Sequence, residues 1–158
     1  MNKIKGEYAT EEQRNENLMT WVGFWRKNVH RFVIDYLQIN LKWFQILIIY
    51  LIDKYPTFMW IASRGASKSF MLALYSVVRC ILYPGTKVKI ASKTIPQASV
   101  IIDEKVMELY RMSPAVRSAI GSENNIKNNN NKGSSVEFLN GSTISVVTAS
   151  DSARGNRA

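Results

Sequence analysis

Ala62-Ser63-Arg64-Gly65-Ala66-Ser67-Lys68-Ser69 has the spacing of a phosphate-binding loop, G-x-x-x-x-G-K-[ST], with Ala62 and Ser67 standing where the framing glycines belong. The flanks constrain this segment further. Thr57 to Ile61 is a short apolar run rich in aromatic and β-branched side chains, bounded by Pro56, and it predicts a buried strand. Phe70 to Leu82 predicts a buried helix, ended by Pro84-Gly85. A strand, a tight loop and a helix N-terminus make an anion site, because unpaired backbone N–H groups and the positive end of the helix dipole converge. In such a site Lys68 reaches the β- and γ-phosphates of a nucleotide, and the Ser69 hydroxyl helps hold Mg²⁺. A Lys-Ser pair at a helix start is also ordinary capping chemistry. Glycine tolerates positive φ and close backbone approach, so Ala62 and Ser67 must sit at permitted dihedrals or carry strain.

The chain has 158 residues, 46% of them apolar, which is enough for one sizeable core. A formal charge of +9 suits a polyanion, nucleic acid or nucleotide, although Lys and Arg are scattered and a generally basic soluble protein has the same balance. Cys80 is the single cysteine, so an internal disulfide and a Cys/His metal spacing are both excluded, and a reducing cytosol is the expected setting. The N-terminus lacks the basic-then-apolar pattern of a signal peptide, and the longest apolar run, Ile46 to Ile52, falls far short of a membrane span.

Periodicity organises the rest. Thr10-Glu11-Glu12-Gln13 resembles a capping box, and Trp21, Phe24, Trp25, Val29, Phe32, Val33 and Tyr36 recur at helical spacing, as expected of one packed face. His30 lies among them without a partner that would give it a function. A second helix is expected from about Leu41 to Lys54. Within it Gln45 is an amide in an apolar stretch, suited either to an adenine edge or to a satisfied position on the helix surface. Lys87 to Ser92 predicts a strand and Pro96 to Tyr110 a helix, on which Asp103 and Glu104 are solvated charges. Asn124 to Lys132 predicts a flexible loop. Val136 and Phe138 alternate into Asn140-Gly141, and Ile144 and Val146 alternate out, which predicts a hairpin. Strand and helix alternate, so the expected fold class is α/β: a mostly parallel sheet with flanking helices, preceded by an N-terminal helical segment.

An ordered set of segments carries a family resemblance: Leu41-Lys42-Trp43-Phe44-Gln45, Ser63 to Ser69, Ala91-Ser92-Lys93 with Gln97-Ala98, Phe138-Leu139-Asn140-Gly141-Ser142, and Ser152-Ala153-Arg154-Gly155. From about Trp21 onward the chain resembles the N-terminal ATPase part of tailed-phage terminase large subunits, motors that use ATP to package viral DNA into a preformed capsid. The resemblance implies a P-loop NTPase-type sheet, with residues 1–40 as a helical segment and 41–158 as a partial ATPase domain. It implies ATP and Mg²⁺ as cofactors. Gln45 would contact adenine, Ser63, Arg64, Gly65, Ala66, Ser67, Lys68 and Ser69 would form the nucleotide loop, and Ser69 would serve the metal. Lys68 and Arg64 would be catalytic, Arg64 acting in cis as an arginine finger on the transferring phosphoryl group. An exposed or ion-paired arginine is the alternative for Arg64, and Arg154 receives no chemical task.

The implied partners are double-stranded viral DNA, a terminase small subunit, the portal protein and further copies in a ring, with no membrane, in the cytoplasm of an infected bacterium. In that family the Arg-Gly segment leads into an apolar strand ending in Asp-Glu, followed by a nuclease domain. Neither is present in the sequence, so the expectation is an incomplete ATPase domain, from a truncated or interrupted reading frame, that hydrolyses ATP poorly by itself. A helicase-like P-loop ATPase and a non-catalytic nucleotide- or DNA-binding module are the other two readings.

Overall fold

The computed structural model describes residues 11–128 and 133–149. Helix α1 (Glu11–Lys27) leads into a short α2 (Val29–Arg31), which winds on as a π-helical turn over Phe32–Tyr36. The expected apolar face is only partly sunk: Val29, Phe32 and Val33 are buried and Trp25 is half-buried, whereas Trp21, Phe24 and Tyr36 stay exposed. Trp21 instead stacks on Trp25 at 5.7 Å, and Tyr36 on Phe32 at 5.0 Å. The capping box expected at Thr10 lies outside the described residues.

Helix α3 (Trp43–Lys54) and helix α4 (Lys68–Leu82) follow, each close to its predicted extent. Met71, Leu74 and Val78, with Ala73, Val77 and Cys80, bury most of the girth of α4. Full burial of one such aliphatic side chain is worth about 1.5–3 kcal/mol, so this helix is fixed by packing more than by propensity. Its C-terminal carbonyls are satisfied from a distant hairpin tip. Asn140 Nδ2 donates to Cys80 O at 2.7 Å, and Ser142 Oγ lies 2.9 Å from Cys80 O and 3.1 Å from Tyr83 O. At the same end Arg26 of α1 donates twice to Leu82 O, at 3.0 and 2.8 Å, and both Arg26 and Arg79 lie over the Tyr83 ring.

Strand β1 (Lys87–Ser92) has its predicted bounds. The next helix, α5, is longer than predicted and changes winding: Ile95–Val100 is α-helical, Ile101–Val106 π-helical and Met107–Met112 α-helical. A further helix, α6 (Pro114–Ile120), was not predicted. Ser113 caps it, accepting from Val116 N, and donates to Leu37 O at 2.7 Å. The Asn-rich segment is partly ordered: a 3-10 turn at Glu123–Asn125 runs into β2 (Ile126–Lys127). Asn128 Nδ2 bonds Asp103 Oδ2 at 3.0 Å, which makes Asp103 an anchor for that segment, while Glu104 is the solvated charge expected of it. Strand β3 (Ser135–Glu137) and strand β4 (Thr143–Thr148) form the predicted hairpin around Gly141, whose φ is 81°.

The four strands lie in the order β1-β4-β3-β2. The fold is α/β with a mixed sheet: β1 pairs with β4 in parallel, whereas β4–β3 and β3–β2 are antiparallel. The expectation of a mostly parallel sheet is corrected by the hairpin, whose tight turn can join only antiparallel neighbours. Helices α4 and α5 cover one face of the sheet, over Ile90, Val136, Ile144 and Val146. Lys87, Lys89 and Ala91 alternate onto the opposite, exposed face.

The expected strand at 57–61 is not a strand. The segment carries no ladder and runs as irregular chain, with Phe58 and Trp60 packed against the core and Met59 and Ile61 82% and 88% exposed. Its composition and two-residue alternation are those of a strand, but a strand needs a hydrogen-bonded neighbour, and among the described residues none lies beside it.

Candidate functional site

The loop at 62–69 leaves this irregular segment and turns directly into α4. Two residues set its curvature: Gly65 at φ 86°, and Ser67 at φ 59° and ψ 21°, both left-handed. Serine there carries a Cβ in a region costing about 1–2 kcal/mol for an L-residue. Ser67 is the position where the motif calls for glycine, so of the two expected outcomes the structure has strain. Ala62, the other substituted position, does not have a positive φ.

The first intrahelical bond of α4 runs from Met71 N to Ser67 O at 2.9 Å, and the Ser67 side chain makes no cap bond. The N–H groups of Lys68, Ser69 and Phe70 therefore lie ahead of the first helical acceptor, at the positive end of a 15-residue helix. Lys68 Nζ curls back over the loop, donating to Ala62 O at 2.5 Å and Ser63 O at 2.7 Å. Two of its three donors are held by the loop, and the third is left for an anion. Ser63 O also accepts from Ala66 N at 3.4 Å, so Ser63 shapes the turn through its carbonyl while its side chain is exposed.

A cleft of about 620 Å³ opens here, lined by Arg64, Gly65, Ala66, Ser67, Lys68, Ser69 and Phe70 on one side and by Asn40, Lys42, Gln45, Lys105, Glu108 and Met112 on the other. Of the residues singled out from the sequence, Gln45 and Arg64 to Ser69 come together in this cleft; Ser63 does not line it. Gln45 is buried, and its Oε1 accepts from Lys42 N at 2.8 Å, so the amide caps its own helix. This binding of Oε1 fixes the side chain and turns its Nε2 into the group available for a ligand. Arg64 is exposed and makes no ion pair among the described residues.

Lys42, Lys105 and Glu108 escaped sequence reasoning. Lys105 and Glu108 lie three residues apart on α5, a spacing that signals an ion pair but not the surface it faces. Their pair, at 2.9 Å, pushes the Lys105 pKa up, first through the hydrogen bond and then through the carboxylate charge. Among the described residues four cations, Lys42, Arg64, Lys68 and Lys105, thus line the cleft against one carboxylate, Glu108, which is already paired. The arrangement is suited to a small polyanion.

The donor set fits a nucleotide phosphate better than it fits a metal held by protein alone. Among the described residues no group of three His, Cys, Asp or Glu side chains could hold a metal ion. Ser69 is exposed at the first turn of α4 and offers a single hydroxyl. Mg²⁺ bound there would take most of its ligands from water and phosphate, as that ion commonly does.

A larger cleft of about 930 Å³ lies behind the loop, between the C-terminal end of α3, residues 55–60, α4 and the start of β1, and Lys68 borders it too. Tyr75, Asp53 and Arg79 meet in it: Tyr75 Oη lies 3.4 Å from Asp53 Oδ1, and Arg79 Nη1 3.8 Å from the same oxygen. Burial, followed by the Asp53 charge and hydrogen bond, raises the Tyr75 pKa against the opposing effect of Arg79.

No protein-family model matches the chain, and no curated protein matches it. Among the described residues no helix is long and apolar enough to cross a membrane. Arg154 and its neighbours lie outside the described residues.

Proposed function

We propose that this chain binds a nucleoside triphosphate with Mg²⁺ through the loop at 62–69, as part of a P-loop ATPase of the terminase large-subunit kind. The observation that carries the proposal is the convergence of Gln45 and the residues from Arg64 to Ser69 in one cationic cleft at the open N-terminus of α4. In this reading the backbone N–H groups of Lys68 to Phe70 and the free donor of Lys68 hold the phosphates. Ser69 meets the metal, the Gln45 amide reads the adenine edge, and Arg64 stabilises charge on the terminal phosphoryl group. Packaging of double-stranded viral DNA, with a small subunit, a portal and a ring of copies as partners in an infected bacterium, extends the proposal on the sequence resemblance alone.

A second reading, nucleotide binding with little or no hydrolysis, is favoured by one specific observation. Among the described residues Glu108 is the only carboxylate lining the cleft, and Lys105 already holds it, so none of them stands ready as a free carboxylate base to orient water.

Titration of a fluorescent ATP analogue, with and without Mg²⁺, tests the shared core of both readings. Wild type is expected to bind at least tenfold more tightly than Lys68→Ala, since a charge-assisted phosphate contact is worth about 1.5–3 kcal/mol. Negligible binding by both proteins would sink the phosphate-loop reading. Turnover by the same samples separates the two readings from each other.

A further inference from the structure

The wall of the smaller cleft that faces the loop comes from α5, and nucleotide binding as proposed above gives it no task. Lys105, Glu108 and Met112 stand at i, i+3 and i+7, so a single stripe of that helix lines the cleft. We infer that Lys105 reads the terminal phosphate and sets a preference for a nucleoside triphosphate over a diphosphate, with Glu108 as the counterion that this phosphate displaces. This role for Lys105 rests on nucleotide binding at the loop. Position along the cleft supports it. Met112 precedes Ser113, whose hydroxyl donates to Leu37 O at 2.7 Å, close in the chain to Asn40. Lys42 and Gln45 follow Asn40 and are joined by the 2.8 Å bond from Lys42 N to Gln45 Oε1. The Met112 end of the stripe is therefore the Gln45 end of the cleft, and Lys105 lies two turns, about 10 Å, further along α5. A nucleotide with its adenine at Gln45 and its phosphates on the loop runs toward Lys105.

Bonding and charge permit the exchange. The Lys105–Glu108 pair is 2.9 Å long with side chains 34% and 43% exposed, and a pair so open to solvent adds little to stability. Among the described residues neither side chain has another bond, so two of the three Lys105 donors are open. Lys68, by contrast, keeps only one donor beyond the loop, and Lys42 stands at the Gln45 end. A terminal phosphate presents about two negative charges and three acceptor oxygens against the single charge of Glu108, and so outcompetes it for the ammonium. Lys105 also stands in the π-helical turn at Ile101–Val106, a winding often found at functional sites, and that turn packs on α4, the helix that the loop opens.

The test is competition against a fluorescent ATP analogue on the full chain with Mg²⁺, using ADP and the non-hydrolysable β,γ-imido analogue of ATP as competitors. Wild type is expected to prefer the triphosphate about tenfold. Lys105→Gln with Glu108→Gln leaves the net charge of the cleft unchanged and is expected to bring the two affinities within about threefold of each other. Lys105→Arg keeps the cation and is expected to keep the preference. Glu108→Gln alone frees Lys105 and is expected to tighten the triphosphate about threefold with little change for ADP, a split that a merely structural ion pair would not produce. Equal affinities in wild type, an undiminished preference in the double variant, or equal changes for both nucleotides in Glu108→Gln would each overturn the role of Lys105, even where Lys68→Ala still weakens binding. Negligible binding of either nucleotide by wild type would overturn that role together with the nucleotide loop itself.

Discussion

Ser67 is where the sequence motif and the backbone meet most directly. Its left-handed φ of 59° follows from the loop's need to turn back before α4 begins, and the motif places glycine there for the same reason. Ser67→Gly relieves the strain but loosens the unfolded chain, so a net stabilisation of about 0.5 kcal/mol is expected, while Ser67→Val should cost about 2 kcal/mol. Urea unfolding of both variants measures this, and a clearly destabilised Ser67→Gly would contradict the strain assignment. Cys80 gives a second residue-scale prediction. Burial pushes its thiol up to about 12 from the ordinary 9.0, against a smaller lowering by Arg79. The unfolded thiol ionises first, so this contribution to stability is complete below about pH 9 and is lost as pH rises toward 12, by about 1.4 kcal/mol per pH unit. Wild type should therefore lose about 2 kcal/mol more than Cys80→Ala between pH 8 and pH 10.5 in urea unfolding. Parallel loss in the two proteins would rule that linkage out. Gln45 shows the limit of reading at this scale: an amide in an apolar run signals a buried partner, but that the partner is the backbone N–H of Lys42 depends on where α3 begins.

At the scale of elements, the segment Phe138-Leu139-Asn140-Gly141-Ser142 acquires a physical role that its sequence concealed. Its alternation and Asn-Gly pair predicted the hairpin, whereas its capping of the far end of α4 required the hairpin and that helix to be side by side. Asn140→Ala removes the 2.7 Å bond to Cys80 O and is expected to cost about 1–2 kcal/mol in urea unfolding. A change below about 0.3 kcal/mol would show that water replaces the cap. Strand β1 was legible to the residue because Lys87-Val88-Lys89-Ile90 alternates between two faces with different neighbours. Helix α6 was missed because its seven residues are too few to show a periodic stripe, although Ser113-Pro114 is a helix-start signal. The Thr57–Ile61 run was misread for the opposite reason: strand-like composition is local, but a ladder belongs to two segments.

Over the whole molecule, the side of the fold around 57–61 is its least finished region. Met59 and Ile61 are almost wholly exposed, the larger cleft lies alongside, and among the described residues β1 is an edge strand with one unpaired side. Exposed apolar side chains beside an open edge promote self-association. Met59→Lys with Ile61→Lys is expected to shift the chain toward the monomer in sedimentation velocity without lowering its urea midpoint, and an unchanged distribution would show that this surface is not the sticky one. By itself the sequence determined what depends on near neighbours and periodicity: the α/β class, the approximate extent of α3 and α4, the extent of β1, the hairpin, and the position of the tight loop before α4. Only the tertiary structure decided what depends on segments distant in the chain. It made the sheet mixed, denied Thr57–Ile61 a partner, and set Lys105 and Glu108 opposite the loop. It also left Lys87 and Lys89 exposed among the described residues, because packing chooses neighbours from the whole chain and a sequence window contains only its own.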